Sequence, residues 1–482
     1  MRVNRYRAPE FPQQSEWLNV DGPVELQKQA GNVVLLAFGT WSSIPCQHML
    51  ADLDYLENRY RNNLTIIGIH AARFPHEKSR EHLLKAISRN HIRHPVINDP
   101  ELQLSHLYGI RKWPSIVVLD TNGLIVGSLT GEGKRTRLEQ VIKTLFENRP
   151  RHLSLVSDSH AGRKPARDSS GPLSFPGKVL VSGNRIYIAD SGHNRILETT
   201  EHGQIVREFG SDSDGFNDGN CMEAAFSNPQ GMVLTGEFLY VADTGNHAIR
   251  RIRRQGGEVE TVAGTGNVAI HPQGDYFTSP AETDLNSPSG LAINRNVIYI
   301  AMTGLHQIWA LSLLTNTLEI FAGSGREGIV DGVSRTACFA QPSSLTLMDD
   351  TLFVADAKSS AVRAIDLKTR NVSTLIGKSL CDSGDNDGHA TEARMQFPLD
   401  IHADPHHKLL WVADTYNNKI RRIQTKNNLV SSVPLAHRLN EPGGLAFNGD
   451  SLYIANTNFH EIVRLNLRNG KTQALNVNND AL

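Results

Sequence analysis

The sequence predicts two domains: an α/β layer domain over residues 1–148, then, after a linker over 149–172, a six-bladed β-propeller over 173–482. Three observations carry this. Buried-strand runs alternate with helical periodicity in the first part, a polar stretch interrupts it, and one strand phrase then recurs six times. At 482 residues the chain is too long for one ordinary core.

In the first part, residues 33–38 form a continuous apolar run that reads as a strand buried on both faces. Leu50, Leu53 and Leu56 recur at helical spacing up to Tyr60, and residues 64–69 give the next buried strand. Residues 76–90 read as a second helix and 95–98 as a short strand. A third helical stretch runs through Tyr108. The run 115–119, the turn Thr121-Asn122-Gly123 and the run 124–129 make a hairpin. An amphipathic helix over 134–146 closes the domain, with Leu138, Val141, Ile142 and Leu145 on one face.

From 149 to 172 the chain is polar and basic with little apolar content, as expected of a linker. Residues 153–156 are a candidate strand for a propeller edge. Beyond the linker, six second-strand phrases begin at Ile186, Leu239, Ile298, Leu352, Leu410 and Leu452, and most close in Ala-Asp. Their spacing suits a four-stranded blade plus a variable loop, so each blade is expected to supply its own four strands. Asp190, Asp243, Asp356 and Asp414 end these strands and open tight polar turns such as Ser191-Gly192-His193-Asn194. Asp, Asn and Gly suit such turns, so the four aspartates read as structural hairpin residues rather than metal or ligand donors. Blade three has Met302 in place of the aspartate and blade four continues as Ala357-Lys358-Ser359-Ser360, so these two edges are expected to differ.

A second phrase lies between blades: Asp218-Gly219, Asp331-Gly332 and Asp387-Gly388 each precede an alanine-bearing stretch. Joining the last strand of one blade to the first of the next, these loops should emerge on one face. Cys221, Cys338 and Cys381 fall in or near them, without the local spacing of a metal site, and no metal or cofactor is expected.

A formal net charge of -1 gives no global attraction to nucleic acid or anionic membrane. Four scattered cysteines, no signal-like apolar run behind the charged N-terminus and no long apolar segment point to a reducing cytoplasm with no membrane partner. Arg250, Arg251, Arg253 and Arg254 cluster, but strand alternation sends them to opposite faces, so nucleic acid is not the expected partner.

At the end of the first strand sits Trp41-Ser42-Ser43-Ile44-Pro45-Cys46, and Trp113-Pro114 precedes the hairpin. Over about residues 15–148 the chain resembles thioredoxin-like proteins of the TlpA type, whose C-x-x-C pair opens the first helix opposite a cis-proline loop. The resemblance places Ser43 at the attacking-cysteine position, Cys46 at the resolving position, and Trp113-Pro114 in the cis-proline loop. Trp41, Pro45, His70, Trp113 and Pro114 would then line a peptide-sized groove. The propeller turns resemble NHL repeats, and the order of both parts resembles the NHL repeat-containing protein 2 family, in a bacterial-type member. That resemblance implies two leading thiols lost at Ser42 and Ser43, and a further C-terminal β domain for which no sequence remains after blade six.

Serine offers no thiolate and no disulfide chemistry, so ordinary dithiol turnover is not expected. Cys46 is open to three readings: a packed thiol, a monothiol that senses oxidant or forms mixed disulfides, or a partner to a propeller cysteine or metal. His70 reads as a hydrogen-bonded structural histidine, with tuning of a nearby thiol as the alternative. The function expected is binding of a protein or peptide partner by a scaffold with a degenerate thioredoxin-like domain; the alternative is a thiol-redox enzyme or sensor acting through Cys46. A propeller hydrolase or lyase is disfavoured because the first strands are mainly apolar, His402 excepted.

Overall fold

The computed structural model describes residues 6–61, 63–150, 171–272 and 274–478. It forms two compact units, Met1–Asp168 and Ser169–Leu482. Most of the expected linker, and the whole of the candidate strand 153–156, lie outside the described residues.

In the first unit, β1 (Glu16–Leu18), β2 (Val33–Gly39), β3 (Leu64–His70), β4 (Val96–Asn98), β5 (Ser115–Leu119) and β6 (Ile125–Thr130) form one mixed sheet in the order β1-β4-β3-β2-β5-β6. The central β2 pairs parallel to β3 and antiparallel to β5. Alternation splits β2 between two cores. Val33, Leu35 and Ala37 meet Met49, Leu53 and Leu56 of α1 (Ile44–Arg59) and Leu138, Ile142 and Leu145 of α4 (Arg135–Glu147). Val34, Leu36 and Phe38 pack on the opposite face, against Leu104 of α3 (Gln103–Leu107). Being covered on both faces explains why β2 and β3 read as continuous apolar runs.

The helix expected over 76–90 is broken in two. Pro75–Lys78 is a single 3₁₀ turn, Ser79 is extended, and α2 runs from Arg80 to Arg89. The cause is Glu77, fully buried, whose carboxylate accepts the backbone N–H groups of Arg73 and Phe74. A continuous helix would carry that side chain away from those donors.

The second unit is a six-bladed propeller whose first and last blades each contain their own four strands in antiparallel order. Leu239 and Val241 of the second blade pack on Tyr187 and Ala189 of the first, and Tyr240 and Ala242 in turn meet Ile298 and Ile300 of the third. Large residues on one face thus meet small and aromatic ones on the next. The innermost strands approach so closely that a methyl group added to Gly290 would sit 2.4 Å from Ser344 Cα. Ring closure is a blade-to-blade contact: Thr457 Oγ1 donates to Pro176 O at 2.9 Å, and Ile205 N to Asn478 O at 2.9 Å.

Two expectations need correction. Blades three and four keep the common turn geometry: Thr303–Leu305 and Ala357–Ser359 are 3₁₀ turns followed by left-handed His306 and Ser360, as Ser191–His193 is by Asn194. In blade four Ser359 Oγ reaches Asp356 at 2.7 Å and replaces the usual Asn. In blade three Met302 stands for the aspartate and Trp309 for the arginine that would pair with it, so an apolar pair replaces an ionic one of similar shape. The second concerns blade composition: every blade supplies its own four strands, and three blades add one more. Tyr276–Phe277, Gly332–Val333 and Gly388–His389 pair as fifth, outermost strands on blades three, four and five. The interblade loops do leave beside the polar turns, where Asn246 and Asn417 donate to Gly215 O and Gly384 O, but they then run along the outer edge. No helix among the described residues is long and apolar enough to cross a membrane.

Candidate functional site

The loop after β2 carries Trp41 to Ser43 to the start of α1. Ser43 is the N-cap residue, extended at φ -105° and ψ 120°, and its carbonyl accepts from Cys46 N at 3.0 Å. Pro45 sits in the first turn, where a missing N–H costs nothing. Cys46 faces inward and has no solvent exposure; a methyl group on Gly39 would lie 3.2 Å from its Sγ. It forms no disulfide, and neither do Cys221, Cys338 and Cys381.

Behind the loop lies a polar knot that the sequence did not announce. Glu77 Oε1 accepts Thr40 Oγ1 at 2.8 Å and Ser42 N at 3.2 Å. Burial works to raise its pKa, yet neighbouring His70 and His82 and the Phe74 and Thr40 hydrogen bonds hold it below the usual glutamate value. The only sequence sign was an acidic residue one position from the end of a short turn, which does not distinguish it from a surface glutamate.

His70 ends β3, and its ring lies 4.5 Å from that of Trp41. Both ring nitrogens are buried, and the polar neighbour that acts on the imidazole is Glu77, while Trp41 packs on its ring. Cys46, Met49, His70, His94 and Trp41 line a cavity of about 20 Å³, room for one water molecule. Burial pushes His70 and His94 down to about 4. An unfolded histidine takes its proton near 6.5, so between pH 4 and 6.5 the unfolded chain binds more protons and stability rises with pH. We expect hydrogen exchange of β2 and β3 to show a loss of at most about 1.4 kcal/mol per histidine per pH unit on acidification through this window, and His94→Phe to remove its share.

The Trp113–Pro114 peptide is cis. Pro114 precedes β5, whose Ser115 pairs with Phe38 beside Gly39, so it lies at the sheet end that carries Ser43. Pro114 O accepts Gly131 N at 2.9 Å, and the next residue, Glu132, meets His48 Nδ1 of α1 at 2.5 Å. The His48–Glu132 pair, 84 residues apart in sequence, was not legible from spacing. Trp113 is half-buried among the second-face core residues. Trp41, Cys46 and His70 therefore share a wall, and Pro45 and Pro114 lie at the same sheet end.

The four propeller aspartates are fully buried and clip each blade internally. One oxygen accepts a backbone N–H before the first strand: Ser174 for Asp190, Ser227 for Asp243, Ala340 for Asp356 and Gln396 for Asp414. The other meets Arg195, Arg250, Arg363 or Arg421. Arg250 and Arg421 are thus interior residues, while Arg251 and Arg253 pair with Glu260 and Glu237. His402 packs on Phe447 and bonds its neighbour's carbonyl. Among the described residues of the propeller no set of three His, Cys, Asp or Glu donors converges within that unit.

A thioredoxin-like family profile matches residues 31–125. NHL repeat-containing protein 2 from Gallus gallus is 39% identical over 95% of this chain and 70% of its own length. The Homo sapiens protein of that name is 37% identical over the same shares. Protein SUPPRESSOR OF QUENCHING 1, chloroplastic, of Arabidopsis thaliana is 34% identical over 96% of this chain and 47% of its own. With a thioredoxin-like sheet, a six-bladed propeller and identity of this level across both, the chain belongs to the NHL repeat-containing protein 2 family.

Proposed function

We propose that this protein is a binding scaffold: the propeller recognises a protein or peptide partner, and the thioredoxin-like unit is a degenerate one that holds an extended segment at the Pro114 end of the sheet without exchanging disulfides. The observation that carries this is the state of the helix start. The N-cap position has a hydroxyl, Ser43, and the one thiol, Cys46, has no solvent exposure. An attacking sulfur must be an accessible thiolate, which neither residue supplies. The thiol-redox alternative through Cys46 would need that thiol to reach solvent.

The test is to install the missing sulfur. Ser43 is itself only 4% exposed; Ser43→Cys places a larger thiol at the N-cap, where the first-turn N–H groups and helix dipole favour the anion. We expect the native protein to give no turnover in a dithiothreitol-coupled insulin-reduction assay and Ser43→Cys to give measurable turnover that Cys46→Ser abolishes. Turnover by the native protein would overturn the scaffold reading.

A further inference from the structure

The two interblade loops 211–228 and 264–287 carry seven Asp and Glu residues and no Lys or Arg; three of the seven, Asp212, Asp218 and Asp275, pair with Arg195, Arg250 and Arg335 from outside the loops. They adjoin: a methyl group on Gly266 would lie 3.0 Å from the Phe216 ring. Phe216 at that contact, and Val268 and Ile270 two and four residues beyond Gly266, are 37%, 37% and 48% exposed. Val268 and Ile270 flank buried Ala269, whose N–H donates to Leu285 O and whose carbonyl accepts Asn286 Nδ2, so alternation turns both outward. In the same two loops Asp214, Glu282 and Asp284 are exposed and have no ion-pair partner among the described residues, and Asp284 accepts Thr265 Oγ1.

This surface is fixed before any partner arrives. Arg250, fully buried, binds Asn217 O at 2.6 Å, Asp218 Oδ1 at 2.7 Å and Ala225 O at 2.9 Å, with its guanidinium 5.2 Å from the Phe216 ring centre. Gly264 N to Pro280 O, at 3.0 Å, closes the second loop. A preorganised surface spares a partner the entropy of ordering it.

We propose that the junction of these loops is a docking surface for a cationic amphipathic segment of a partner protein, one in which Lys or Arg alternates with large apolar residues. The claim rests on the propeller-binding reading above and adds where and what it binds. Apolar side chains would cover Phe216, Val268 and Ile270, and the cations would face the unpaired carboxylates, which steer encounter and set specificity. The same charge repels nucleic acid and anionic lipid.

The experiment is fluorescence anisotropy on the full chain with two short fluorescein-labelled synthetic peptides, one alternating Lys with Leu and one with Glu for every Lys. The native protein should bind the Lys peptide at least about tenfold more tightly than the Glu peptide. Val268→Ser with Ile270→Ser should weaken it about tenfold, and Glu282→Lys with Asp284→Lys should reverse the preference. These positions are exposed, and an unchanged melting profile would establish that the variants fold. Equal binding by native protein and variants would overturn the proposal. So would a self-associated native protein that Ile270→Ser dissociates, which would make a second copy the occupant. Failure of the Lys peptide to bind would overturn the proposal too, while leaving the insulin assay, and hence the scaffold reading, undisturbed.

Discussion

Arg421→Ala is expected to cost the propeller about 3–5 kcal/mol, because it leaves a buried carboxylate without its cation. Arg421 is 1% exposed in its side chain and faces three aspartates, Asp414 at 2.8 Å together with Asp385 and Asp387. Burial pushes Asp414 up to about 6 even with the guanidinium beside it. Without Arg421 that value rises further, and a group whose folded pKa is raised loses stability as pH rises through it. Asp385 and Asp387 are held low partly by the same arginine, so they too lose stabilisation once ionised. The deficit should therefore be larger at about pH 8 than at about pH 5, measured as the denaturant midpoint of the propeller transition. A deficit that does not change with pH would mean the loss is one of packing alone.

The second large effect is expected at the centre of the ring. Lys178, on the innermost strand of blade one, places Nζ 2.9 Å from Asp400 Oδ1 of blade five and 2.6 Å from Leu399 O. Asp400 also accepts Leu445 N of blade six. Burial lowers the Lys178 pKa, against the pull of Asp400. Lys178→Ala strands Asp400 in the interior and should cost about 3–5 kcal/mol, whereas Lys178→Met with Asp400→Leu should recover most of the loss, since an apolar pair of similar volume carries no desolvation penalty. Denaturant unfolding of the three proteins checks this; a double variant as weak as Lys178→Ala would show that Asp400 matters through Ser344 and Leu445 instead.

The propeller was legible because each blade repeats its own evidence: Leu239-Tyr240-Val241-Ala242-Asp243 alternates large and small residues in the pattern that packs blade on blade. The sheet of the first unit was equally plain in the runs of β2 and β3. What the sequence concealed are contacts between distant residues. Lys178 and Asp400 lie on strands that read as ordinary inner edges, and nothing local marks them as partners. Glu77 looks like a surface residue until Thr40 and Ser42 are folded over it, and its inward turn is what breaks the helix expected over 76–90. Met302 alone predicts a different edge for blade three; Trp309, seven residues on, is the matching half of the exchange and keeps the turn geometry. At the candidate site, the placement of Ser43 and Cys46 rests on resemblance, and nothing near His70 in the sequence marks Glu77, seven residues on, as its polar neighbour or His94 as the opposite wall of its cavity.

The most direct measurement is the rate at which a thiol reagent labels Cys46 in a variant with Ser at 221, 338 and 381, followed across pH and denaturant. A scaffold with an interior thiol predicts negligible labelling of the native protein at every pH, rising only as the first unit unfolds. Rapid labelling of the native protein, with an apparent pKa well below the ordinary value of about 8.5, would contradict it and make Cys46 a working thiol.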